Sequence, residues 1–260
     1  MREQDLADRF AAAKSIAREV GAMALVRFRN RDRLAVERKG VQDQVTAVDR
    51  EVEAAIRARL GALFPDDGVL GEEAGGAITP RLWVVDPIDG TACFIAGIPV
   101  WCVSIAFVDG GEVELGVIYD PNTDELFAAC RGHGASLDGA PLRPSPATGF
   151  ADGSVGVGYS PRTSPGALID VLEPLLQADG MFQCNGSGAL MLTYVAAGRL
   201  IGYFEAHINA WDCLAGIALV REAGGWTSDF LAGDGLAKGN PLAAAAPGLA
   251  DAMRRLTGLS

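Results

Sequence analysis

The stretch Leu82-Trp83-Val84-Val85-Asp86-Pro87-Ile88-Asp89-Gly90-Thr91 joins four apolar residues to a turn that carries two acids. A short apolar run that ends at a turn signal predicts a buried strand over residues 82–85. Because Pro87 fixes φ, we expect it to stop this strand, so that Asp86 and Asp89 turn back towards a common point. The stretch therefore predicts two carboxylates side by side at the end of a strand.

The residues around these acids suit the binding of a metal ion or a phosphate group. The carbonyl of Ile88 is available as an extra metal ligand, and Gly90 lets the backbone come close to an anion. The amides of Gly90 and Thr91, at the start of a short helix, are able to hold phosphate oxygens. The alternative is an ordinary strand-to-helix turn in which an aspartate serves only as the N-cap.

Three further sites carry acids where loops or the ends of elements would place them. Asp49 lies at the start of a predicted helix, Glu72 and Glu73 follow a turn, and Asp212 opens another predicted helix. Singly, Glu72 and Glu73 are typical of a solvated loop, and Asp49 and Asp212 of acids stabilised by a helix dipole. Jointly with the acids of the 82–91 stretch they favour a site for hard divalent cations such as Mg²⁺. Two such ions about 3.5–4 Å apart can activate a water and hold the leaving oxygen of a phosphate ester.

Two amphipathic patterns predict helices near the N-terminus. Apolar residues at three- and four-residue steps mark the first: Leu6, Phe10, Ala13, Ala17, Val20 and Ala24. The second has one apolar stripe and ends at residues 65–68; the stripe is Val52, Ile56, Leu60 and Leu63. Alternating apolar residues on both sides of Asp109-Gly110-Gly111 then predict a β-hairpin over residues 101–119.

The second half of the chain alternates predicted strands and helices. We predict strands over 154–158, 181–184 and 203–205, and helices over 165–178, from Gly188 and over 211–223. Residues 243–246 are a short alanine run. The Gly-, Pro- and Ser-rich stretch 130–150 separates residues 1–145, with most of the predicted metal ligands, from residues 146–260, with Asp212 and the substrate pocket, in one compact unit. This order predicts a layered α+β fold.

The composition argues against several classes of protein. With 260 residues and a formal net charge of −11, the chain has no basic surface for a nucleic acid, and an acidic protein that handles phosphate needs cations. Five cysteines without C-x-x-C spacing are typical of reduced thiols in the cytosol. We see neither a signal peptide nor an apolar run of membrane length. The sequence therefore predicts a cytoplasmic protein without nucleic-acid or membrane partners.

The acids lie in motifs that resemble those of the inositol monophosphatase family, whose wider superfamily includes the fructose-1,6-bisphosphatases. The resemblance covers nearly the whole chain. Its segments, in chain order, are Asp43-Gln44-Val45-Thr46-Ala47-Val48-Asp49, Gly71-Glu72-Glu73, Trp83-Val84-Val85-Asp86-Pro87-Ile88-Asp89-Gly90-Thr91, and Trp211-Asp212-x-x-Ala215-Gly216 followed by Glu222-Ala223-Gly224-Gly225. It implies a layered α-β-α-β-α sandwich of the sugar-phosphatase type.

The resemblance also implies the ligands and the catalytic residues. One Mg²⁺ would be held by Glu72, Asp86 and the Ile88 carbonyl. A second would be held by Asp86, Asp89 and Asp212, with Asp86 bridging, and a weaker third ion would lie near Glu72. The catalytic residues would be Glu72, Thr91 and Asp49, the last two orienting the attacking water. The substrate would contact Asp89, Gly90, Thr91, Gly186, Ser187, Gly188, Glu205 and Asp212.

The resemblance implies a Mg²⁺-dependent, Li⁺-sensitive phosphomonoesterase that acts as a homodimer. It would hydrolyse inositol monophosphate or a similar small phosphorylated alcohol by a metal-activated water. Ala92-Cys93 stands where the family commonly has Thr-Asn, and Gly188 where it has alanine, so the alcohol stays open. Residues 97–101 resemble histidinol-phosphate phosphatases of the same family, which gives an alternative substrate. A non-enzymatic alternative is a regulatory protein that keeps the scaffold.

Three other reactive side chains are assigned no catalytic role. His133 and His207 lack the companion residues of a phosphohistidine or Ser-His scheme, so we interpret them as surface or pocket-wall residues. Cys93, close to the predicted site, is interpreted as a buried filler rather than a redox-sensitive thiol.

Overall fold

The computed structural model describes residues 3–30, 36–40 and 43–260, with side chains outside residues 36–45. The helices in these ranges are α1 (Glu3–Arg29), α2 (Ala47–Leu63), α3 (Thr91–Ala96), α4 (Pro165–Gln177), α5 (Gly188–Ala196), α6 (Ala210–Glu222), α7 (Gly235–Lys238) and α8 (Ala250–Thr257). The strands are β1 (Val36–Gly40), β2 (Asp43–Thr46), β3 (Gly68–Gly71), β4 (Arg81–Asp89), β5 (Cys102–Asp109), β6 (Glu112–Asp120), β7 (Glu125–Cys130), β8 (Gly134–Leu137), β9 (Ala140–Pro141), β10 (Ser154–Val157), β11 (Met181–Gln183), β12 (Gly202–Ile208), β13 (Trp226–Thr227) and β14 (Asn240–Ala245).

Two large sheets organise the chain. The first has seven strands in the order β3-β4-β5-β6-β7-β8-β9, and only β3 and β4 pair in parallel. The second has the order β11-β10-β12-β14-β13, with β10 parallel to both β11 and β12. Strands β1 and β2 form a separate antiparallel pair. The predicted hairpin is β5–β6, whose two-residue turn has φ of 60° at Gly110 and 88° at Gly111.

Successive side chains along the strands point to opposite faces of the seven-stranded sheet, and a hydrophobic core lies on each face. On β4, Trp83 and Val85 join the cluster that packs against α1 and α2, whereas Leu82 and Val84 join the cluster that contains α5 and α6. This second cluster also contains residues of β12 and β14, so α5 and α6 lie between the two sheets. On the outer face of the five-stranded sheet, a third cluster includes residues of α4 and α8. The result is a layered α-β-α-β-α sandwich, and the predicted α+β fold is confirmed.

Two local predictions differ from the structure, and one segment without a prediction forms part of a strand. Leu63 ends α2 with 57 % of its surface exposed, because the apolar stripe leaves the core in the last turn. Residues 243–245 of the alanine run, for which no element was predicted, belong with Leu242 to the buried part of β14. Pro87 does not stop the strand, because β4 continues to Asp89.

The predicted boundary between residues 145 and 146 agrees in position with the change from one sheet to the other. The seven-stranded sheet ends at β9, and the five-stranded sheet begins at β10. Because α5 and α6 pack against the first sheet as well as the second, a division into two units stays a prediction. In the described part of the chain, every helix is too short or too polar to span a bilayer.

Candidate metal and substrate site

A β-bulge in β4 brings Asp86 and Asp89 to one side of the strand. In a regular strand, two residues three positions apart would face opposite sides of the sheet. Here Asp86 pairs with Ser104 and Asp89 with Cys102, so three steps along β4 match two along β5. The extra residue restores the common orientation. Pro87 is compatible with this position because a bulge does not need its missing amide hydrogen.

Asp212 completes a cluster of three carboxylates with the two acids of β4. One oxygen from each of the three lies within 4.8 Å of the others. Asp212 stands in the first turn of α6, where its Oδ2 accepts hydrogen bonds from the backbone amide and the side-chain amide of Asn209, both at 3.2 Å. The acid is therefore a helix-capping residue and a member of the cluster at once.

The electrostatics of this cluster fit a divalent cation. Burial, followed by the charge of Glu72, holds the pKa of Asp86 well above its usual range. Burial and the neighbouring Asp212 carboxylate raise the pKa of Asp89 to about 7, and burial raises the pKa of Asp212. No Lys or Arg of the described residues forms an ion pair with any of the three. A hard cation with oxygen ligands would compensate these buried negative charges.

Glu72 follows β3 and lies beside the cluster. Its placement depends on Glu53, a buried acid of α2 that sequence reasoning missed. Glu53 Oε2 accepts a hydrogen bond from the amide of Glu73 at 2.7 Å, Oε1 accepts from the amide of Ala74 at 3.0 Å, and Arg57 pairs with the same carboxylate. Glu53 lies between the apolar stripe residues of α2, and this position could have predicted a structural role for it, because a buried acid must have hydrogen-bond partners.

Thr91 and Asp49 form a hydrogen-bonded pair next to the cluster. Thr91 Oγ1 lies 3.1 Å from Asp49 Oδ1 and 3.0 Å from the carbonyl oxygen of Ile88. Asp49 Oδ2 accepts from the backbone amide of Thr46 at 2.9 Å, within the capping box of α2. Asp49 is fully buried and does not line the cavity, so it reaches the site through Thr91. Burial raises the pKa of the Asp49 carboxyl.

Gly90 allows a close approach of the backbone just before α3. Its φ is 102°, and a Cβ there would lie 2.7 Å from the carbonyl oxygen of Val100. No other residue type would fit without displacing the backbone. The position therefore fixes how the amides of Gly90 and Thr91 are presented to the site.

A cavity of about 620 Å³ collects the other predicted site residues from both halves of the chain. Ser187 donates a hydrogen bond to Asp89 Oδ2, which also accepts from the Ala189 amide at 2.8 Å. These bonds tie the start of α5 to β4. The predicted site residues on the cavity wall are Glu72, Asp86, Ile88, Asp89, Gly90, Thr91, Gly186, Ser187, Gly188, Glu205 and Asp212.

Arg162 is a second residue that sequence reasoning missed. It is the only Lys or Arg among the described residues that line the cavity, which carry five acids. Its charge favours the ionised forms of Glu205 and Asp212 and so opposes the rise in their pKa. The turn before α4 holds it, since the Arg162 amide donates to Ser160 Oγ at 3.3 Å. No motif marks this arginine in the sequence.

The two histidines and Cys93 have surroundings that the structure describes, while their lack of a catalytic role stays a prediction. His133 is exposed, and the Nε2 atom of His207 lies 2.9 Å from the carbonyl oxygen of Lys238. Cys93 is buried, and its thiol donates to the carbonyl oxygen of Asn185 at 3.3 Å.

The layered sandwich thus places a carboxylate cluster that could hold a metal ion on the wall of a large cavity. The sequence model of the Inositol monophosphatase family matches residues 5–257. The chain belongs to this family, as its motifs predicted.

Individual relatives agree with this assignment. The chain is 39 % identical over 235 residues to Nus factor SuhB of Haemophilus influenzae, covering 88 % of each chain. It is 40 % identical over 223 residues to Nus factor SuhB of Escherichia coli K12, covering 84 % of this chain and 83 % of that protein.

Solved structures show the same fold. The extragenic suppressor protein SuhB from Bartonella henselae superposes with a TM-score of 0.90 at 33 % identity, covering 96 % of this chain and 98 % of that chain. The IMPase of Thermotoga maritima gives 0.86 at 31 % identity, with coverages of 96 % and 97 %. SaIMPase-II with bound inositol monophosphate gives 0.80 at 25 % identity, with coverages of 96 % and 93 %.

Proposed function

We propose that the protein is a Mg²⁺-dependent phosphomonoesterase that hydrolyses inositol monophosphate or a similar small phosphorylated alcohol. The observation that carries this proposal is the cluster of the buried Asp86 and Asp89 with the half-buried Asp212, on the wall of a cavity large enough for such a substrate. Family membership supports the reaction class, and SaIMPase-II with bound inositol monophosphate supports the substrate class.

The chain offers ligands for two to three Mg²⁺ ions. We assign Glu72, Asp86 and the Ile88 carbonyl to one ion. Asp86, Asp89 and Asp212 would hold another, with Asp86 shared, and a weaker third ion would bind near Glu72. When bound, Mg²⁺ supplies Lewis-acid activation of water and neutralises charge on the phosphate ester. Asn209 and Ser187 orient Asp212 and Asp89, and such partners of ligating carboxylates tune a metal site.

Thr91 would orient the attacking water. Its single hydroxyl hydrogen is directed to Asp49 or to the Ile88 carbonyl, which leaves the hydroxyl oxygen to accept a hydrogen bond. Thr46 holds Asp49 in place, so the acceptor character of Thr91 is fixed before substrate binds. A water bonded to Thr91 would direct a lone pair towards the phosphorus of a phosphate held at the amides of Gly90 and Thr91.

The alcohol part of the substrate would lie against Glu205 and residues 186–188. Histidinol phosphate is the alternative substrate, but the Trp101 that suggested it belongs to the core. Its ring packs against those of Phe28 and Phe94, and Trp101 does not line the cavity. We therefore favour a polyol phosphate and keep histidinol phosphate as the comparison substrate. We also carry Li⁺ sensitivity, a homodimer and a cytoplasmic location as proposals from the family resemblance.

A regulatory role without turnover is the other class of function. Several relatives are named Nus factor, a name that does not refer to ester hydrolysis. The retained carboxylates argue that this chain keeps catalysis, whether or not it has a second role. Measured turnover decides between the two.

The test is release of phosphate from a panel of small phosphate esters, with and without Mg²⁺. We expect Mg²⁺-dependent release, a higher kcat/KM for inositol 1-phosphate than for histidinol phosphate, and loss of release in Asp89→Asn. Asp170→Asn, an exposed acid of α4, is the matched control and should retain full activity. Equal activity of Asp89→Asn and wild type would refute the proposal.

A further inference from the structure

Glu205 is held on the cavity wall by a tyrosine that has no assigned role. Tyr203 and Glu205 stand two residues apart on β12, and therefore on the same side of the sheet. The Tyr203 hydroxyl donates a hydrogen bond to Glu205 Oε2. Tyr203 is fully buried and packed into the core between the sheets, so its ring has little freedom to move. The hydroxyl is a fixed donor at a fixed distance from the cavity.

Two glycines make room for this pair. A Cβ at Gly158, directly after β10, would overlap Glu205 Oε2 and would lie 2.8 Å from the Tyr203 hydroxyl oxygen. A Cβ at Gly188 would lie 3.2 Å from the same hydroxyl oxygen. Both glycines line the cavity. The wall is therefore shaped around the tyrosine–carboxylate pair and would not admit a larger side chain at Gly158.

The two oxygens of Glu205 differ in their surroundings. Oε2 is bonded to Tyr203, whereas no described residue donates to Oε1. Oε1 is also absent from the buried polar atoms that lack a partner, so it is open to the cavity. One oxygen is thus anchored while the other is available to a donor from outside the protein, and a hydroxyl group of a bound alcohol is such a donor.

We propose that Tyr203 is a positioning residue that fixes Glu205 so that Oε1 binds a hydroxyl group of the phosphorylated alcohol. The pair then selects polyol phosphates over phosphate esters without a free hydroxyl. This inference rests on the proposed phosphatase function for its assay. A site built to bond a hydroxyl discriminates against analogues that lack it, because its buried polar group is then left unpaired.

The test compares wild type and Tyr203→Phe on two esters, inositol 1-phosphate and ethyl phosphate. Loss of the anchoring hydrogen bond should lower kcat/KM for inositol 1-phosphate roughly tenfold, mainly through KM. For ethyl phosphate, we expect a change of less than about twofold, because no hydroxyl contacts Glu205. Tyr194→Phe is the matched control, since Tyr194 is half-buried beside the same core and its hydroxyl makes no hydrogen bond in the described residues.

Gly158→Ala provides an independent variant, because its Cβ would displace Glu205 Oε2 without removing Tyr203. It should show the same selective loss on inositol 1-phosphate, with circular dichroism and Tm confirming that it folds. An equal loss on both esters in Tyr203→Phe would overturn the inference, since a general disturbance does not select between substrates. No loss on either ester would overturn it as well.

Failure of the proposed function would give a different result. In that case wild type hydrolyses neither ester with Mg²⁺, and binding can be measured directly by calorimetry with the intact esters. Weaker binding of inositol 1-phosphate but not of ethyl phosphate by Tyr203→Phe would then support the inference. Unchanged binding of both esters would overturn it.

Discussion

The cavity has two ends that the chain builds in different ways. The metal end consists of the bulged end of β4, the turn after β3 and the first turn of α6, and its acids also have local structural functions such as capping. The alcohol end consists of residues just after β10, residues of β12 and the turn before α4, and we infer that its specificity depends on contacts between segments distant in sequence. For the function that we propose, the comparison means that the reaction is encoded in short contiguous motifs, whereas the choice of alcohol is encoded in tertiary contacts.

Removing a carboxylate from the metal end should have the largest effect. Asp86→Asn should lower phosphate release by a factor of about 10³ or more, because the residue that we assign to both ions loses its charge. The same variant should be more stable than wild type without Mg²⁺, since a buried and repelled carboxyl group is removed. Phosphate release and thermal unfolding measure the two effects, with Asp170→Asn as the control. A variant that is inactive and also less stable without metal would contradict the stated origin of the loss.

Thr91 should separate water orientation from metal binding. Thr91→Val removes the hydroxyl and should lower kcat about 10²-fold, within the range for loss of a positioned proton-transfer or orienting group. Thr91→Ser keeps the hydroxyl and should retain most of the activity. Because Thr91 contributes no side-chain ligand in our assignment, the increase in Tm on adding Mg²⁺ should be the same in both variants. A loss of this increase in Thr91→Val would show that the threonine supports the metal instead.

Short local sequence patterns explain which elements of the fold and which residues of the site were predictable from the sequence. The β5–β6 turn needs positive φ at both Gly110 and Gly111, and two adjacent glycines in the sequence predict such a turn. The acids of the metal end stand inside motifs and at the ends of elements, so their proximity could be predicted before any pairing was known. The reading of Pro87 was wrong because a proline is compatible both with the end of a strand and with a bulge, and only the register with β5 decides.

Tertiary packing explains what the sequence did not reveal. Alanine has a low preference for strands, yet residues 243–245 are the last three residues of β14, where they are buried between the core that contains α6 and the outer core. The Tyr203–Glu205 bond depends on Gly158, a glycine distant in sequence that directly follows β10. Arg162 is recognisable only once the turn that carries it is placed beside the acids.

The pH dependence of stability should report on both ends of the cavity. Asp89 and Glu205 have pKa values raised to about 7 and about 8, mainly by burial, so the folded protein binds more protons than the unfolded chain between about pH 4 and pH 8. The free energy of unfolding without Mg²⁺ should therefore fall as pH rises through this window, and Tm should drop by about 5 °C or more between pH 5 and pH 8. Thermal unfolding in a chelator measures this.

Adding Mg²⁺ sharpens the test, because the ion binds the deprotonated carboxylates. The increase in Tm on adding Mg²⁺ should be larger at pH 8 than at pH 5.5, and binding at 100 times Kd would contribute about 2.7 kcal/mol. In Asp89→Asn the fall of Tm with pH should be shallower than in wild type. A stability that rises with pH in the absence of metal would contradict the raised pKa values.

Substitution of Arg162 should have the smallest effect. This residue contributes a charge rather than a hydrogen bond at the alcohol end. Its guanidinium is the only positive side chain on the described wall and is exposed, so its contribution is long-range attraction of an anionic ester. Arg162→Gln should lower kcat/KM about two- to fivefold at low salt and by less at 0.5 M salt, where an exposed charge is screened. Arg143→Gln, an exposed arginine away from the cavity, should change neither value. If the loss in Arg162→Gln were large and independent of salt, Arg162 would contact the substrate directly, and the alcohol end would bind it by charge as well as through Glu205.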